Sequence, residues 1–151
     1  MELELKHLSP YLPYGLKCCM MGEIDENEKP VISEITGVSI ENCPNHIWVY
    51  SYDKGLSYSN LLSDTFPILR PMSDLKTDFF DDLFHTDIDV RTFLNGEFLE
   101  SRGVEDLDQL FEFKIEWFPF GLISLLIKYH FDIFGLIDKK LAIDINTLKP
   151  F

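Results

Sequence analysis

The chain has 151 residues and a formal net charge of −13, from 26 acidic residues against 13 lysines and arginines. Apolar residues make up 46% and aromatic residues 14% of the sequence. We therefore expect one domain over residues 1–151 that buries roughly two-thirds of its unfolded surface, not a disordered acidic chain. The charge argues against a protein that grips the nucleic-acid backbone itself, because that binding depends on Lys and Arg.

Residues 1–72 have the pattern of an antiparallel β-meander. Runs rich in aromatic and β-branched residues alternate with turn residues such as Asp53, Lys54 and Gly55, which predicts short strands in a small curled sheet or barrel. Gly37 interrupts the second run and predicts a bulge or a bend. The predicted strands are residues 14–24, 31–40, 46–52, 56–58 and 66–69.

Residues 73–118 form an acidic segment of helical and mixed character. Ser73 is a predicted helix N-cap, with Asp74 in the first turn, where a carboxylate suits the helix dipole. Apolar residues recur at helical spacing from Leu75 to Phe84, with the acids on the other side. Residues 73–116 contain 13 acidic and four basic residues. This pattern predicts a folded acidic face.

Residues 119–151 have the pattern of a core helix followed by a closing strand. Residues 120–134 are apolar on nearly all sides of a helix, which is typical of a buried helix, and Gly135 fits the position after its C-terminus. Alternation over residues 141–145 predicts the strand. The predicted fold class is therefore α+β, an N-terminal antiparallel β-meander followed by a helix-rich C-terminal half with a buried core helix.

Two clusters have residue types that bind metals. The first has the ligands that Mg²⁺- or Mn²⁺-dependent phosphodiester cleavage uses: Asp81, Asp82, His85, Asp87 and Asp89. Its spacing fits no nuclease motif, and a solvated acidic surface is the alternative. The second has zinc-ligand types: Cys18, Cys19, Cys43 and His46. Adjacent strand residues point to opposite faces, so buried free cysteines are the alternative. We predict no metal and no cofactor.

Catalytic motifs are weak elsewhere. His130 with Asp132 and Lys128 would suit acid–base catalysis, but a lone histidine on a core helix is typically structural. The sequence contains no nucleophile elbow, P-loop or dinucleotide-binding fingerprint. A base-stacking platform is a further hypothesis, but its aromatic residues lack basic neighbours: Tyr11, Tyr14, Trp48, Tyr50, Tyr52 and Tyr58. We therefore predict no catalytic residues and no enzyme.

The sequence has no pattern of a signal peptide or a membrane span. The N-terminus is acidic, and the longest apolar run has 11 residues. We therefore predict a cytoplasmic protein.

Three segments resemble small proteins encoded by phages and prophages of Bacteroidota. These segments are LKHLSPYLPYGLK at residues 5–17, PILRPMSDL at residues 67–75, and YHFDIFGLID at residues 129–138 running on to AIDIN at residues 142–146. The resemblance covers about a third of the chain. It implies a phage or mobile-element origin, a host bacterial cell as location, and a β-meander followed by α+β, and it transfers no catalytic residues. In the relatives, the connection between the second and third segments is shorter and less acidic.

These observations predict a non-catalytic, phage-derived acidic protein that binds and inhibits a basic, nucleic-acid-binding host defence protein. A CRISPR effector is one such target, because its channel for guide and target is positively charged. The predicted partner-binding acidic face is Asp74, Asp78, Asp81, Asp82, Asp87, Asp89, Glu97, Glu100, Glu105, Asp106 and Asp108. The alternatives are a metal-dependent phage nucleic-acid enzyme that uses residues 81–89, and a phage accessory or assembly protein without an inhibitory role.

Overall fold

A computed structural model describes residues 2–24, 30–40, 47–76 and 120–148. Its strands are β1 (Lys17–Ile24), β2 (Pro30–Ile40), β3 (Ile47–Asp53), β4 (Leu56–Leu61), β5 (Thr65–Leu69) and β6 (Ile143–Asp144). Its α-helices are α1 (Leu5–Leu8) and α2 (Phe120–Lys128). Single 3₁₀ turns occur at Leu12–Tyr14, Leu62–Asp64, Met72–Lys76 and Ile145–Thr147.

The strands form a mixed sheet in the order β4-β3-β2-β1-β5-β6. All neighbours are antiparallel except β5 and β6, which are parallel. Lys54 and Gly55 connect β3 to β4 with φ angles of 46° and 91°, the two positive values of a type I′ turn, whose twist matches that of the flanking strands. The β2–β3 register shifts between Ile35 and Gly37. This shift is the bulge that Gly37 predicts.

The sheet is strongly curled. The Asn60 Nδ2 atom of β4 donates a hydrogen bond to the Met21 carbonyl oxygen of β1 over 3.2 Å, although β3 and β2 lie between these strands in the sheet order. In a flat sheet, strands three places apart would be separated by roughly 14 Å. The curl therefore brings the two strands together and creates a concave face.

The core lies on that concave face. Its largest buried side chains include Leu8, Tyr11, Leu16 and Met20. Two buried serines are part of this core, and their hydroxyl oxygens are 2.6 Å apart: Ser33 on β2 and Ser51 on β3. Because each hydroxyl has the other as a partner, the serines satisfy the requirement that buried polar groups be hydrogen-bonded.

The predicted fold class is wrong. The part of the chain that the structure describes is mainly a six-stranded mixed sheet with two short α-helices, not a meander followed by a helix-rich half. The predicted helix over residues 120–134 ends at Lys128. It is also not buried on all sides, because Leu122 and Leu126 are buried whereas Phe120 is 85% exposed.

Three further boundaries differ from the prediction. Ser73 lies inside the 3₁₀ turn Met72–Lys76, so it is not the N-cap of an α-helix. Gly135 does have a positive φ of 62°, but it lies beyond the end of α2. The closing strand is the two-residue β6, shorter than residues 141–145. The predicted elements over residues 77–118 lie outside the described residues.

Candidate functional site

The segments 5–17, 67–75 and 129–146 meet on the β5 side of the sheet, and we call this meeting point the junction. The Arg70 N–H donates to the His130 carbonyl oxygen, and the Asp132 N–H donates to the Arg70 carbonyl oxygen, both over 2.8 Å. The fully buried Tyr11 hydroxyl donates to the Phe131 carbonyl oxygen over 2.7 Å. The three segments therefore fold as one unit although they are far apart in sequence.

His130 ends α2 in the left-handed conformation. Its φ is 60°, and its N–H donates to the Ile127 carbonyl oxygen while the Phe131 N–H donates to the Leu126 carbonyl oxygen. These two bonds form a Schellman motif, with His130 at the position that glycine usually occupies. The His130 Nε2 atom is 2.9 Å from the Tyr14 carbonyl oxygen, so the neutral ring donates there. Burial lowers the pKa of His130, although the Tyr14 carbonyl opposes the shift.

Asp132 faces away from His130 toward the following turn. Its carboxylate is buried and accepts hydrogen bonds from the Leu136 N–H and the Ile137 N–H, each over 2.8 Å. The Lys128 ammonium lies 5.4 Å from the centre of the Tyr129 ring. The three residues that would suit acid–base work are therefore engaged in separate structural contacts.

His7 is a buried histidine of the junction that sequence reasoning did not single out. Its Nδ1 atom accepts a hydrogen bond from the Glu4 N–H over 3.0 Å, and its ring lies 5.4 Å from the Phe134 ring. Burial lowers the pKa of His7. Since Nδ1 must be unprotonated to accept this bond, the neutral form of His7 holds α1 against the C-terminal segment.

Asp74 belongs to the predicted acidic face and also to the junction. Its carboxylate lies 3.5 Å from the Arg70 Nη1 atom and accepts two bonds of 3.0 Å from the Asn146 Nδ2 atom. Its side chain is 14% exposed. Asp74 thus ties the end of the second segment to the chain beyond β6. The other predicted residues of the acidic face lie outside the described residues: Asp78, Asp81, Asp82, Asp87, Asp89, Glu97, Glu100, Glu105, Asp106 and Asp108.

The two adjacent cysteines of β1 have different environments. Cys18 is fully buried, and its sulfur is 3.9 Å from the Ser33 hydroxyl. Burial raises the pKa of Cys18 to about 11, which keeps the thiol protonated, whereas metal binding requires the thiolate. Cys19 is half-buried on the other face of the strand, and burial raises its pKa as well. Cys43 and His46 lie outside the described residues, among which no group of three metal-ligating side chains occurs.

The aromatic residues proposed as a stacking platform do not share one surface. Tyr11 is fully buried in the core, whereas Tyr50 and Tyr52 are 40% and 50% exposed on the opposite face of the sheet. Tyr58 packs against the core from β4. Tyr14, in the turn before β1, is also 42% exposed, so the exposed tyrosines of the set lie on separate parts of the fold.

A groove of about 600 Å³ lies between the N-terminal segment and the end of β4. Its volume falls within the range of about 300–1,000 Å³ that is usual for ligand pockets. Its walls are polar and apolar in similar measure, with Glu2, Glu4 and Lys6 among the lining residues, and Lys6 forms a salt bridge of 2.9 Å with Glu4. The groove had no signal in the sequence because its walls come from separate segments. They are Glu2, Leu3, Glu4, Leu5, Lys6, Ile47, Leu61, Leu62, Ser63, Thr65, Phe66 and Leu141.

Charge is unevenly divided along the chain. The described ranges contain ten acidic and eight basic residues, against 26 and 13 in the whole sequence. The sheet and the junction are therefore close to neutral. Most of the net negative charge lies in residues 77–119, which connect the 3₁₀ turn Met72–Lys76 to the start of α2.

Within the described ranges, α1 and α2 are too short to cross a bilayer, and no other helix there meets the length and hydropathy that a span requires. The chain matches none of the family models, curated proteins or solved structures with which it was compared.

Proposed function

We propose that this protein is a non-catalytic inhibitor that uses its acidic segment to bind a basic, nucleic-acid-binding protein of host defence, in the manner of an anti-CRISPR protein. The observation that carries the proposal is the division of charge between a nearly neutral scaffold and a strongly acidic connection. A one-signed patch attracts a surface of opposite sign, raises the rate of encounter and selects against acidic partners.

The junction supports this proposal because it fixes the point at which the acidic segment begins. Asp74 is held by Arg70 and Asn146, and the Arg70 backbone is held by His130 and Asp132. A rigid origin limits the conformational freedom that binding would remove, and this lowers the cost of association. In this proposal Asp74 acts by positioning, and the acids that follow it contact the partner.

The phage origin implied by the sequence resemblance gives the proposal its biological setting, the cytoplasm of a bacterial host. A CRISPR effector fits as target because it holds its nucleic acids in a positively charged channel. Carboxylates that occupy such a channel take the place of phosphate groups. Binding should therefore weaken as salt screens the charges.

The test is a matched pair of charge-neutralised variants. The first variant changes five acids of the acidic segment to the corresponding amides: Asp78, Asp81, Asp82, Asp87 and Asp89. The control changes five scaffold acids in the same way: Glu2, Glu23, Glu34, Asp53 and Asp138. Both variants gain the same charge. Proteins retained from a host lysate at low salt are identified by mass spectrometry, and the affinity for the purified basic target is then measured.

We expect the first variant to lose most of its affinity and its inhibition, while the control stays near the unmodified protein. Equal behaviour of the two variants would contradict recognition by the acidic segment. Calorimetric titration with Mn²⁺ separates the proposal from a metal-dependent nucleic-acid enzyme, since tight binding that disappears in the first variant would favour the enzyme.

A further inference from the structure

Residues 2–6, which we call the strap, form one wall of the groove. They supply five of its lining residues, and the facing wall comes mainly from the end of β4, the Leu62–Asp64 turn and the start of β5. The strap includes the first half of α1, which is a single helical turn of four residues. An isolated turn is unstable because helix nucleation is costly. The strap therefore depends on contacts with its neighbours to stay in place.

The side chain of His7 holds the strap through a hydrogen bond to its backbone. Glu4 is the N-cap of α1, and His7 is the third residue of the helix. From this position, a side chain reaches back to the N-cap N–H in a capping box. The His7 Nδ1 atom accepts from the Glu4 N–H over 3.0 Å. Glutamate or glutamine usually makes this bond, whereas histidine changes its charge near neutral pH.

The other contacts of the strap in the described ranges give it little support. The salt bridge between Lys6 and Glu4 lies within the strap, and its side chains are 67% and 52% exposed, so it contributes little. Leu3 is only half-buried against the core. The chain that follows is anchored by Leu8 and Tyr11, which are fully buried. The strap can therefore open locally while the rest of the fold stays in place.

A positive charge on the His7 ring is unfavourable at this position. The residue is 5% exposed, and its ring lies 5.4 Å from the Phe134 ring. Burial is the largest effect that lowers the pKa of His7. Lys6 and, from the C-terminal segment, Lys139 lower this pKa further, while Glu4 opposes them. A protonated ring has an N–H group on both nitrogens, so Nδ1 then no longer accepts the bond from the strap.

We propose that His7 is a pH-sensitive latch, which holds the strap in the wall of the groove when its ring is neutral and releases the strap when its ring is protonated. Acid favours the open state because an exposed histidine binds a proton near pH 6.5, whereas the buried ring does so only at lower pH. The equilibrium constant for opening should rise by roughly 5- to 30-fold between about pH 7.5 and pH 5.0. Mild acid therefore removes one wall of the groove and leaves the sheet folded.

Amide hydrogen exchange followed by NMR tests the latch. The Glu4 N–H is bonded to the His7 ring and the His7 N–H to the Glu4 carbonyl oxygen, so both amides report on the strap. The Ile35 N–H is bonded to the Leu16 carbonyl oxygen and reports on the sheet. Protection is the exchange rate relative to an unstructured peptide at the same pH. We expect the protection of the strap amides to fall by the stated factor, while Ile35 stays far better protected throughout.

Two variants separate the latch from other effects of pH. His7→Gln keeps an acceptor at the capping-box position but has no ring to protonate. His130→Asn is the matched control, because it removes the second histidine of the junction and asparagine tolerates the left-handed conformation found there. We expect the strap amides to keep constant protection in His7→Gln and to lose it in His130→Asn as in the unmodified chain. Circular dichroism checks that both variants fold.

Three results would overturn the proposal. The first is an equal loss of protection in His7→Gln. The second is exchange of the strap amides and the Ile35 amide at the same opening free energy, since the strap would then open only when the whole chain unfolds. The third needs no variant: an NMR titration of the His7 ring in the unmodified chain in which the Glu4 amide stays protected after the ring is protonated.

Discussion

Replacement of Asp132 should destabilise the fold more than replacement of any nearby surface acid. Asp132 is 6% exposed, and its carboxylate accepts hydrogen bonds from the N–H groups of Leu136 and Ile137. These bonds begin the turn that leads to Leu141, whose N–H donates to the Leu136 carbonyl oxygen over 2.9 Å. Without the carboxylate, both N–H groups lose their acceptor in a region packed against the core.

The expected cost follows from the number and kind of bonds lost. A hydrogen bond to a charged group contributes about 1.5–3 kcal/mol, and a buried donor left unsatisfied costs about 1–3 kcal/mol. Because the Ile137 site is partly reached by water, we expect Asp132→Ala to lower the free energy of unfolding by about 3 kcal/mol. Asp132→Asn keeps one oxygen acceptor but turns an NH₂ group toward the second N–H, so about 2 kcal/mol is expected.

Urea denaturation followed by circular dichroism measures these losses, provided that the slope with denaturant stays constant. Asp138→Asn is the control because Asp138 lies six residues further along and is exposed. Its effect should remain within about 0.5 kcal/mol. A loss below about 1 kcal/mol for Asp132→Ala would refute the structural role of this carboxylate.

Two further predictions concern titratable groups of the core and the junction. Burial lowers the pKa of both His7 and His130 from 6.5. As the pH falls below about 6.5, the unfolded chain therefore binds protons that the folded chain does not, and the free energy of unfolding should fall. Urea titrations from about pH 7.5 to pH 5.5 should show this decrease in the free energy of unfolding. The double variant His7→Gln with His130→Asn should show a smaller decrease. An unchanged decrease in that variant would assign the effect to other groups. For Cys18, whose pKa burial raises to about 11, we expect no reaction with a maleimide until the protein unfolds, with mass spectrometry locating the label; rapid modification of native Cys18 would contradict its buried, protonated state.

The strands of the meander could be predicted because their signals are local. Lys54 and Gly55 form the turn where the sequence places it, and Gly37 marks the observed bulge. Strand β4 extends to Leu61, beyond the predicted end at residue 58. Its serines and asparagine gave little alternation of apolar and polar residues, since an edge strand needs less burial than a central one.

The end of α2 could not be predicted because backbone hydrogen bonds to a distant segment stop the helix, although the helical spacing of apolar residues continues. The apolar pattern continues past Lys128, but the backbone of residues 130–132 bonds to Arg70 instead of continuing the helix. The position that ends α2 is occupied by His130, where sequence rules expect glycine. Tyr11 holds the same region from 120 residues away, a contact for which local sequence has no signal.

The sequence identified Asp74 as a residue of the candidate site, but it did not reveal which residues Asp74 contacts. Asp74 was identified from the charge pattern, and Arg70 four residues earlier is a partner at ordinary helical spacing. Asn146 is 72 residues distant and donates the shorter bonds. Asp74, which the sequence assigns to the acidic face, therefore also forms polar contacts within the fold.

The junction is built from three segments that are far apart in the sequence. Residues 5–17, 67–75 and 129–146 meet there through Tyr11, Arg70, His130 and Asp132. Buried contacts between distant segments constrain sequence because one substitution leaves several polar groups unsatisfied. We infer that the junction is a scaffold. The inhibition proposed above should then depend on the acidic residues between Met72–Lys76 and α2, which can be neutralised in charge while the junction stays intact.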